Sequence, residues 1–210
     1  MRHLAREEVQ ALLDAPDPRT PSGARDRAML HLAFAAGLRV PELVGLRLGD
    51  LRLAPEPVLH VVGKGRRERL LPLWRETTTA LRAWLAVRRG GRDPALFLNA
   101  RGGAMTRAGF ERIVAEHAEA AARACPSLAG RRVTPHVLRH SCAMHMLRAT
   151  RDIRRVSLWL GHAGLRTTEI YLRADPTGKL EALNAAEAPS LRRGRFRPPD
   201  TLVAMLGERR

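Results

Sequence analysis

Apolar residues recur at helical spacing along most of this chain. After Thr106 they form a stripe that repeats every three or four positions, as on the buried face of a helix. The stripe consists of Phe110, Ile113, Val114, Ala118 and Ala121. Thr106 precedes it and supplies a hydroxyl that can cap the first helical turn. The same pattern predicts helices over residues 6–15, 24–36, 75–89 and 152–160, and another that starts at Pro41.

Signals for β-strands are few and lie mostly in the first half of the chain. Residues 58–62 form a short β-branched run, a Gly-Lys-Gly turn follows at Lys64, and residues 69–73 return. A strand near Arg52 and an extended piece over residues 96–98 complete the predicted β content. The sequence therefore predicts a mainly α fold with a small antiparallel β-sheet.

Residues 134–171 form the stretch that is richest in candidate chemistry. Thr134 can cap a helix whose first turn contains Pro135. His136 and Arg139 lie three positions apart and therefore share one face of that helix. The pattern predicts that an imidazole and a guanidinium project together from the start of this helix.

The same stretch continues with two shorter helices. Asp152 can cap the first of them and Gly161 ends it, and His162 follows at once. The second starts near Arg166 and carries Tyr171 on its last turn. A loop histidine and a tyrosine are thus predicted to follow the helix of His136 at a short distance along the chain.

Tyrosine and lysine are both rare in this chain. Tyr171 is the only tyrosine, and among 37 Lys+Arg only Lys64 and Lys179 are lysine. Lysine can give up a proton when its surroundings lower its pKa, whereas arginine in practice cannot. A lysine retained in so arginine-rich a chain indicates proton transfer, although a turn lysine between glycines is ordinarily a solvated surface residue.

Charge and cysteine content narrow the class of protein. The formal net charge of +16 indicates a polyanionic partner, although an arginine-rich proteome with an ordinary surface is the alternative and charge alone does not separate nucleic acid from a membrane. No run of 18 apolar residues suggests a membrane span, and the N-terminus does not resemble a signal peptide. Cys125 and Cys142 are too few for a disulfide framework and lack metal-ligand spacing. These features predict a cytoplasmic protein with reduced thiols and no membrane partner.

Five segments together resemble the catalytic domain of the tyrosine recombinases, the phage-integrase and Xer-like family. They are GLRVPEL around Arg39, GKGRRER around Lys64, ALFLNARGGAMT ending at Thr106, HVLRH from His136, and LGHAGLRTTEIY ending at Tyr171. The resemblance implies the integrase catalytic-domain fold over residues 1–187, then a basic linker and tail over residues 188–210. The family's separate N-terminal core-binding domain has no counterpart in these 210 residues, so we expect the catalytic part alone.

The resemblance implies six catalytic residues: Arg39, Lys64, His136, Arg139, His162 and Tyr171. The tyrosine would attack the scissile phosphorus and form a 3′-phosphotyrosyl bond. The two arginines would bind the non-bridging oxygens, because a planar guanidinium matches phosphate in a bidentate fashion. Their charges would stabilise the pentacoordinate transition state.

The remaining three groups would handle protons and hydrogen bonds. Lys64 would protonate the leaving 5′-oxygen, His136 would assist proton transfer, and His162 would hydrogen-bond the phosphate. The resemblance implies no metal and no cofactor. His136 and His140 alone could suggest a metal site, but no carboxylate or cysteine joins them at ligand spacing.

Double-stranded DNA is the partner that the resemblance implies. Arg66, Arg67 and Arg69 are predicted to contact its phosphate backbone without reading sequence. Members of the family commonly exchange a C-terminal segment around a homo- or hetero-tetramer. The apolar residues 201–206 suit such a segment, although a frayed tail is the alternative.

The predicted function is site-specific DNA recombination or integration for a mobile element. One alternative is a non-catalytic DNA-binding module, whose activity would survive mutation of Tyr171. Another is a type IB topoisomerase-like enzyme, which would share the cleavage chemistry but relax supercoils as a monomer.

Overall fold

The computed structural model describes residues 3–63, 68–89 and 94–161. Seven α-helices lie within these ranges: α1 (Arg6–Asp14), α2 (Pro21–Ala35), α3 (Val40–Val44), α4 (Arg75–Val87), α5 (Arg107–Ala121), α6 (Pro135–Thr150) and α7 (Ile153–Leu160). Three strands accompany them: β1 (Leu51–Arg52), β2 (Val58–Val62) and β3 (Glu68–Pro72). The predicted fold class, mainly α with a small antiparallel sheet, is confirmed.

Helix α2 lies at the centre of the core. It packs against α1, α4 and α6, and most of its side chains are buried. A helix that is apolar on nearly all sides is stable only when other elements surround it. This central helix therefore fixes the position of the loop that follows it, which leads into α3 and the candidate site.

The apolar stripe after Thr106 lies on the buried face of α5, as predicted. Phe110, Ile113, Val114, Ala118 and Ala121 are all buried. The Thr106 hydroxyl accepts a hydrogen bond from the Gly109 amide at 3.0 Å, so it caps the helix.

The sheet is antiparallel in the order β1-β2-β3. Leu59 and Val61 of β2 are buried, whereas Val62 is exposed. Val61 pairs with Arg69 of β3, and paired residues of adjacent strands project on the same face. The register therefore directs Arg69 toward the interior of the domain.

The start of α2 differs from the prediction that residues 16–22 form a loop. The helix begins at Pro21, and the Thr20 hydroxyl accepts a hydrogen bond from the Gly23 amide at 3.0 Å. Proline suits the first position of a helix because its missing amide would be unsatisfied there. The Thr-Pro pair, not the first apolar residue, sets this boundary.

The two helices that lead to the candidate site begin where the sequence predicts. Thr134 caps α6 through a bond from the Val137 amide, and Asp152 caps α7 through a bond from the Arg154 amide. Helix α7 ends at Gly161, which adopts a left-handed conformation with φ of 62°. A left-handed residue at this position is a common helix stop.

Candidate active site

Arg39 and Glu42 lie at the N-terminal end of α3. Arg39 precedes the helix, its amide donates to Glu42 Oε2 at 2.9 Å, and its Nη1 donates to Glu42 Oε1 at 3.0 Å. The Arg39 side chain is 37% exposed, whereas the Glu42 side chain is 5% exposed. One side of the Arg39 guanidinium is thus held by a buried carboxylate while the group still reaches solvent.

Arg139 reaches the same carboxylate from α6. It is buried, and its Nη1 lies 4.0 Å from Glu42 Oε2. Its Nη1 donates to the Gly37 carbonyl, and its Nη2 donates to the Leu160 carbonyl at 2.9 Å. These bonds fix Arg139 between the loop after α2 and the end of α7.

Arg69 is the third arginine on Glu42, and it comes from β3. Its Nη2 lies 2.9 Å from Glu42 Oε2 and its Nη1 lies 3.3 Å from Glu42 Oε1, so the pair is bidentate. The Arg69 side chain is only 9% exposed. The prediction that Arg69 contacts the DNA backbone does not fit this buried position, because both terminal nitrogens face a carboxylate of the same domain.

The electrostatics of this cluster favour an anion. Burial alone would raise the pKa of Glu42, but hydrogen bonds from the Arg69 guanidinium and the Arg39 amide, together with their charges, hold that pKa below its ordinary value. Glu42 therefore stays ionised at neutral pH. One carboxylate among three guanidinium groups leaves the cluster net positive, as a phosphate site requires.

His136 lies in the first turn of α6, one turn before Arg139. Its side chain is exposed, in contrast with the buried Arg139. His140, one turn later, is buried and lies edge to face with His3 at 6.2 Å between ring centroids. The helix therefore carries an accessible imidazole at its start and a packed one further in.

Of the nine predicted site residues, the structure brings three together in the cluster, Arg39, Arg69 and Arg139, and places a fourth, His136, one helical turn before Arg139. The other five lie outside the described residues: Lys64, Arg66, Arg67, His162 and Tyr171. The predicted domain boundary at residue 187 and the segment at residues 201–206 also lie outside them. Their roles stay predictions.

Glu42 is the residue of the candidate site that sequence reasoning missed. A signal for it was present, since it lies three positions after Arg39 at the start of a predicted helix, where a glutamate can bond back to the chain. Its contacts with β3 and α6 join residues that are remote in sequence. No local pattern carries that information.

Other buried polar groups of the described residues form structural networks. His117 Nε2 lies 3.0 Å from Asp26 Oδ2, and Arg25 donates to Asp26 Oδ1 at 2.8 Å. The described residues hold no cluster of three or more histidines, cysteines or carboxylates suited to a metal ion. In the part of the chain that the structure describes, no helix is both long enough and apolar enough to cross a membrane.

Comparisons with known proteins bear on the family to which the chain belongs. The profile of the phage integrase family matches residues 2–177. The protein y4rC of Sinorhizobium fredii, described as an integrase/recombinase, is 44% identical over 203 residues, which cover 97% of this chain and 61% of y4rC. The tyrosine recombinase XerC of Herpetosiphon aurantiacus is 41% identical over 190 residues, which cover 88% of this chain and 60% of XerC.

A solved structure gives the same result at the level of the fold. The XerH site-specific recombinase, bound to its palindromic difH substrate after cleavage, superimposes with a TM-score of 0.73 and 28% identity. The match covers 88% of this chain and 52% of the XerH chain. The chain spans about three-fifths of the length of the curated relatives it matches. It has the fold of a tyrosine recombinase catalytic domain, and it belongs to the phage integrase family.

Proposed function

We propose that this chain is the catalytic part of a site-specific recombinase that cuts and rejoins double-stranded DNA through a 3′-phosphotyrosyl intermediate. The observation that carries the proposal is the convergence of Arg39 and Arg139 on Glu42, at 3.0 Å and 4.0 Å respectively. Two guanidinium groups, one from the residue before α3 and one from α6, are fixed around one carboxylate and suit the binding of one phosphate.

The first step of the proposed reaction is a transesterification. The Tyr171 oxygen attacks the scissile phosphorus, the bond between phosphorus and the 5′-oxygen breaks, and the tyrosine proton passes to a base, with His136 as the candidate. Lys64 supplies a proton to the leaving 5′-oxygen, while His162 hydrogen-bonds the phosphate. Arg39 and Arg139 stabilise the charge on the non-bridging oxygens.

The second step reverses the first with a new strand. A DNA 5′-hydroxyl attacks the phosphotyrosyl phosphorus and releases the Tyr171 oxygen, which regains a proton. The number of phosphodiester bonds is unchanged, so the exchange needs no ATP. A substrate of duplex DNA fits a cytoplasmic site of action.

We extend the proposal to assembly as a homo- or hetero-tetramer on DNA through the C-terminal segment, residues 201–206. An apolar groove between β3 and α7 supports it, because Leu70 and Leu158 on its walls are 69% and 76% exposed. An apolar segment from a second copy would cover these side chains. Light scattering of the DNA complex, with and without residues 188–210, is the measurement that checks this extension.

Covalent trapping tests the proposed reaction. The chain is mixed with sheared genomic DNA from its host, the reaction is stopped with detergent, and DNA that stays attached after denaturation is recovered and sequenced. We expect capture by the wild type and none by Tyr171→Phe, which lacks only the nucleophilic oxygen. Attached ends that share one sequence would identify the target site.

Two other outcomes separate the alternative functions. Equal binding of DNA by both forms with no covalent capture by either, even with a partner recombinase added, would contradict catalysis and leave a DNA-binding module. Capture without sequence preference, together with relaxation of supercoiled DNA, would contradict site-specific recombination and indicate a topoisomerase-like enzyme.

A further inference from the structure

We infer that Arg69 is a positioning residue for the proposed strand cleavage, acting through Glu42 and the turn after α7 and not through contact with DNA. The inference rests on the proposed function. It assigns to β3 a task distinct from the one proposed for Lys64, which belongs to the residues that connect β2 and β3 in the sequence.

The Arg69 side chain is buried and joins β3 to other elements of the domain. Its side chain is 9% exposed, and both terminal nitrogens face the Glu42 carboxylate at 2.9 Å and 3.3 Å. Its Nε is buried and has no hydrogen-bond partner among the described residues. A guanidinium that gives up hydration in this way is stable only because the bidentate pair compensates for the loss.

Three parts of the candidate site meet at this pair. Glu42 also accepts from the Arg39 side chain at 3.0 Å, and Arg139 lies 4.0 Å from it. Arg69 thus connects β3 to both guanidinium groups that are proposed to bind the phosphate. Any shift of the Glu42 carboxylate would move Arg39 with it.

Gly161 provides the third connection. A β-carbon built on Gly161 would lie 2.8 Å from Arg69 Nη1 and 3.2 Å from its Cζ, so the guanidinium packs directly on this turn. The carbonyl of Leu160, beside it, accepts from Arg139 at 2.9 Å. Arg69 thus packs against the turn that also supplies a hydrogen-bond acceptor to Arg139.

Lysine could not replace arginine in this role. Lysine presents one ammonium nitrogen, whereas arginine presents a planar fork that bonds both carboxylate oxygens and also packs flat on a neighbouring backbone. Arg69→Lys therefore keeps the charge but removes the bidentate geometry. A backbone contact to DNA would respond differently, because a single ammonium group serves as a phosphate contact.

The test measures cleavage rate and DNA affinity separately on the full chain. The substrate is a duplex carrying the sequence recovered by covalent trapping. We expect Arg69→Lys to lower the rate of covalent adduct formation by ~10- to 100-fold, because small displacements of reacting groups have effects of this size. We expect its affinity for the duplex and the salt dependence of that affinity to equal those of the wild type.

Arg52→Lys is the matched control. Arg52 lies on β1 of the same sheet, and its side chain is exposed, so the same chemical change should leave the cleavage rate unaltered. Arg66→Ala shows how a direct phosphate contact behaves, with weaker binding and a salt slope reduced by about one.

A double-mutant cycle then tests the route through Glu42. Glu42→Gln keeps the shape of the side chain and removes its charge. If Arg69 acts through Glu42, the combination of Arg69→Lys with Glu42→Gln lowers the rate no further than the more damaging single change. If the rate of the double variant falls by the product of the two single fold-reductions, the two residues act independently and the inference is overturned.

The remaining outcomes are also decisive. A weaker affinity and a lower salt slope for Arg69→Lys, like those of Arg66→Ala, would show a direct DNA contact and overturn the positioning role. Wild-type cleavage by Arg69→Lys would overturn it as well, while the proposed function stands. Absence of the adduct in the wild type would instead overturn the proposed function, and the positioning role with it.

Discussion

Glu42 places a single carboxylate among three guanidinium groups of the candidate site. Arg39, Arg69 and Arg139 lie at 3.0, 2.9 and 4.0 Å from its oxygens. A buried carboxylate next to cations stays ionised and holds those cations in place. In the proposed reaction, Arg39 and Arg139 would hold these positions before a phosphate arrives, which would limit reorganisation.

Gly161 yields a prediction at the residue scale. Its φ of +62° disfavours any side chain, and a β-carbon there would lie 2.8 Å from Arg69 Nη1. We expect Gly161→Ala to lower the free energy of unfolding by ~1–2 kcal/mol from backbone strain alone, and to slow adduct formation as well because Arg69 must move. Urea unfolding and covalent trapping measure the two effects.

Gly130 provides the control for this prediction. It has a similar φ of +69°, but a β-carbon there would meet nothing within 4 Å. Gly130→Ala should therefore show the loss of stability without the loss of cleavage. Equal cleavage rates for the two alanine variants would contradict the contact between Arg69 and the turn after α7.

At the scale of elements, Glu8 ties α1 to the segment that leads into α6. Its carboxylate accepts from the Ala5 amide at 2.8 Å, from the Ser127 hydroxyl at 2.8 Å and from Arg131 Nη1 at 2.5 Å. Burial alone would raise the pKa of Glu8, but these bonds, led by that of Arg131, lower it to about 2. The start of the chain is thereby fixed to the part that carries His136 and Arg139.

This tie predicts a specific dependence of stability on pH. Because the folded pKa of about 2 lies below the ordinary value of 4.5, the contribution of Glu8 is complete above pH 4.5 and is lost as pH falls toward 2. We expect Glu8→Gln to lower the free energy of unfolding at pH 7 by ~1–3 kcal/mol. The deficit should shrink between pH 4.5 and pH 2. Urea unfolding followed by circular dichroism at each pH measures it.

Glu7→Gln is the matched control, since Glu7 lies on the same helical turn with its side chain exposed. Its effect should be a few tenths of a kcal/mol, from the helix dipole alone. A deficit of Glu8→Gln that stays constant down to pH 2 would contradict an ionised, bonded carboxylate at this position.

Elements were easier to predict from the sequence than the site that they form. The caps Thr106, Thr134 and Asp152 and the stop at Gly161 act through their own neighbours in the chain, so a local pattern suffices to find them. The predicted start of α2 was wrong by three residues, because the helix begins at the Thr20 cap and not at the first apolar residue.

The candidate site depended on contacts that no local pattern reveals. Arg39, His136 and Arg139 could be singled out because their residue types suit phosphate chemistry and lie in family-like motifs. The pairing of Arg69 with Glu42 joins β3 to α3, and only the folded chain shows it. The sequence placed Arg69 next to predicted DNA contacts and so predicted a DNA contact for it as well. In the folded chain its side chain is buried and pairs with Glu42.

At the scale of the whole molecule, the net charge of +16 predicts how binding responds to salt. Each phosphate neutralised by the protein releases condensed counterions, so affinity for duplex DNA should fall steeply as salt rises. Fluorescence anisotropy with a labelled duplex between 50 and 200 mM salt should show a fall of ~10³-fold or more if about six phosphates are contacted.

Arg66 and Arg67, which precede β3 in the sequence, can be tested in the same titration. Arg66→Ala combined with Arg67→Ala should reduce the logarithmic salt slope by about two, if each side chain contacts one phosphate. An affinity that barely changes between low and physiological salt would contradict the assignment of the positive charge to DNA binding.

The most direct measurement identifies the residue that becomes bonded to DNA. Covalent complexes recovered from denaturing conditions are digested with nuclease and protease, and the peptides are sequenced by mass spectrometry. The account predicts a nucleotide attached through a phosphodiester to Tyr171, the only tyrosine of the chain, with no such peptide from the Tyr171→Phe variant. A nucleotide on a different residue, or capture that survives the substitution, would contradict it.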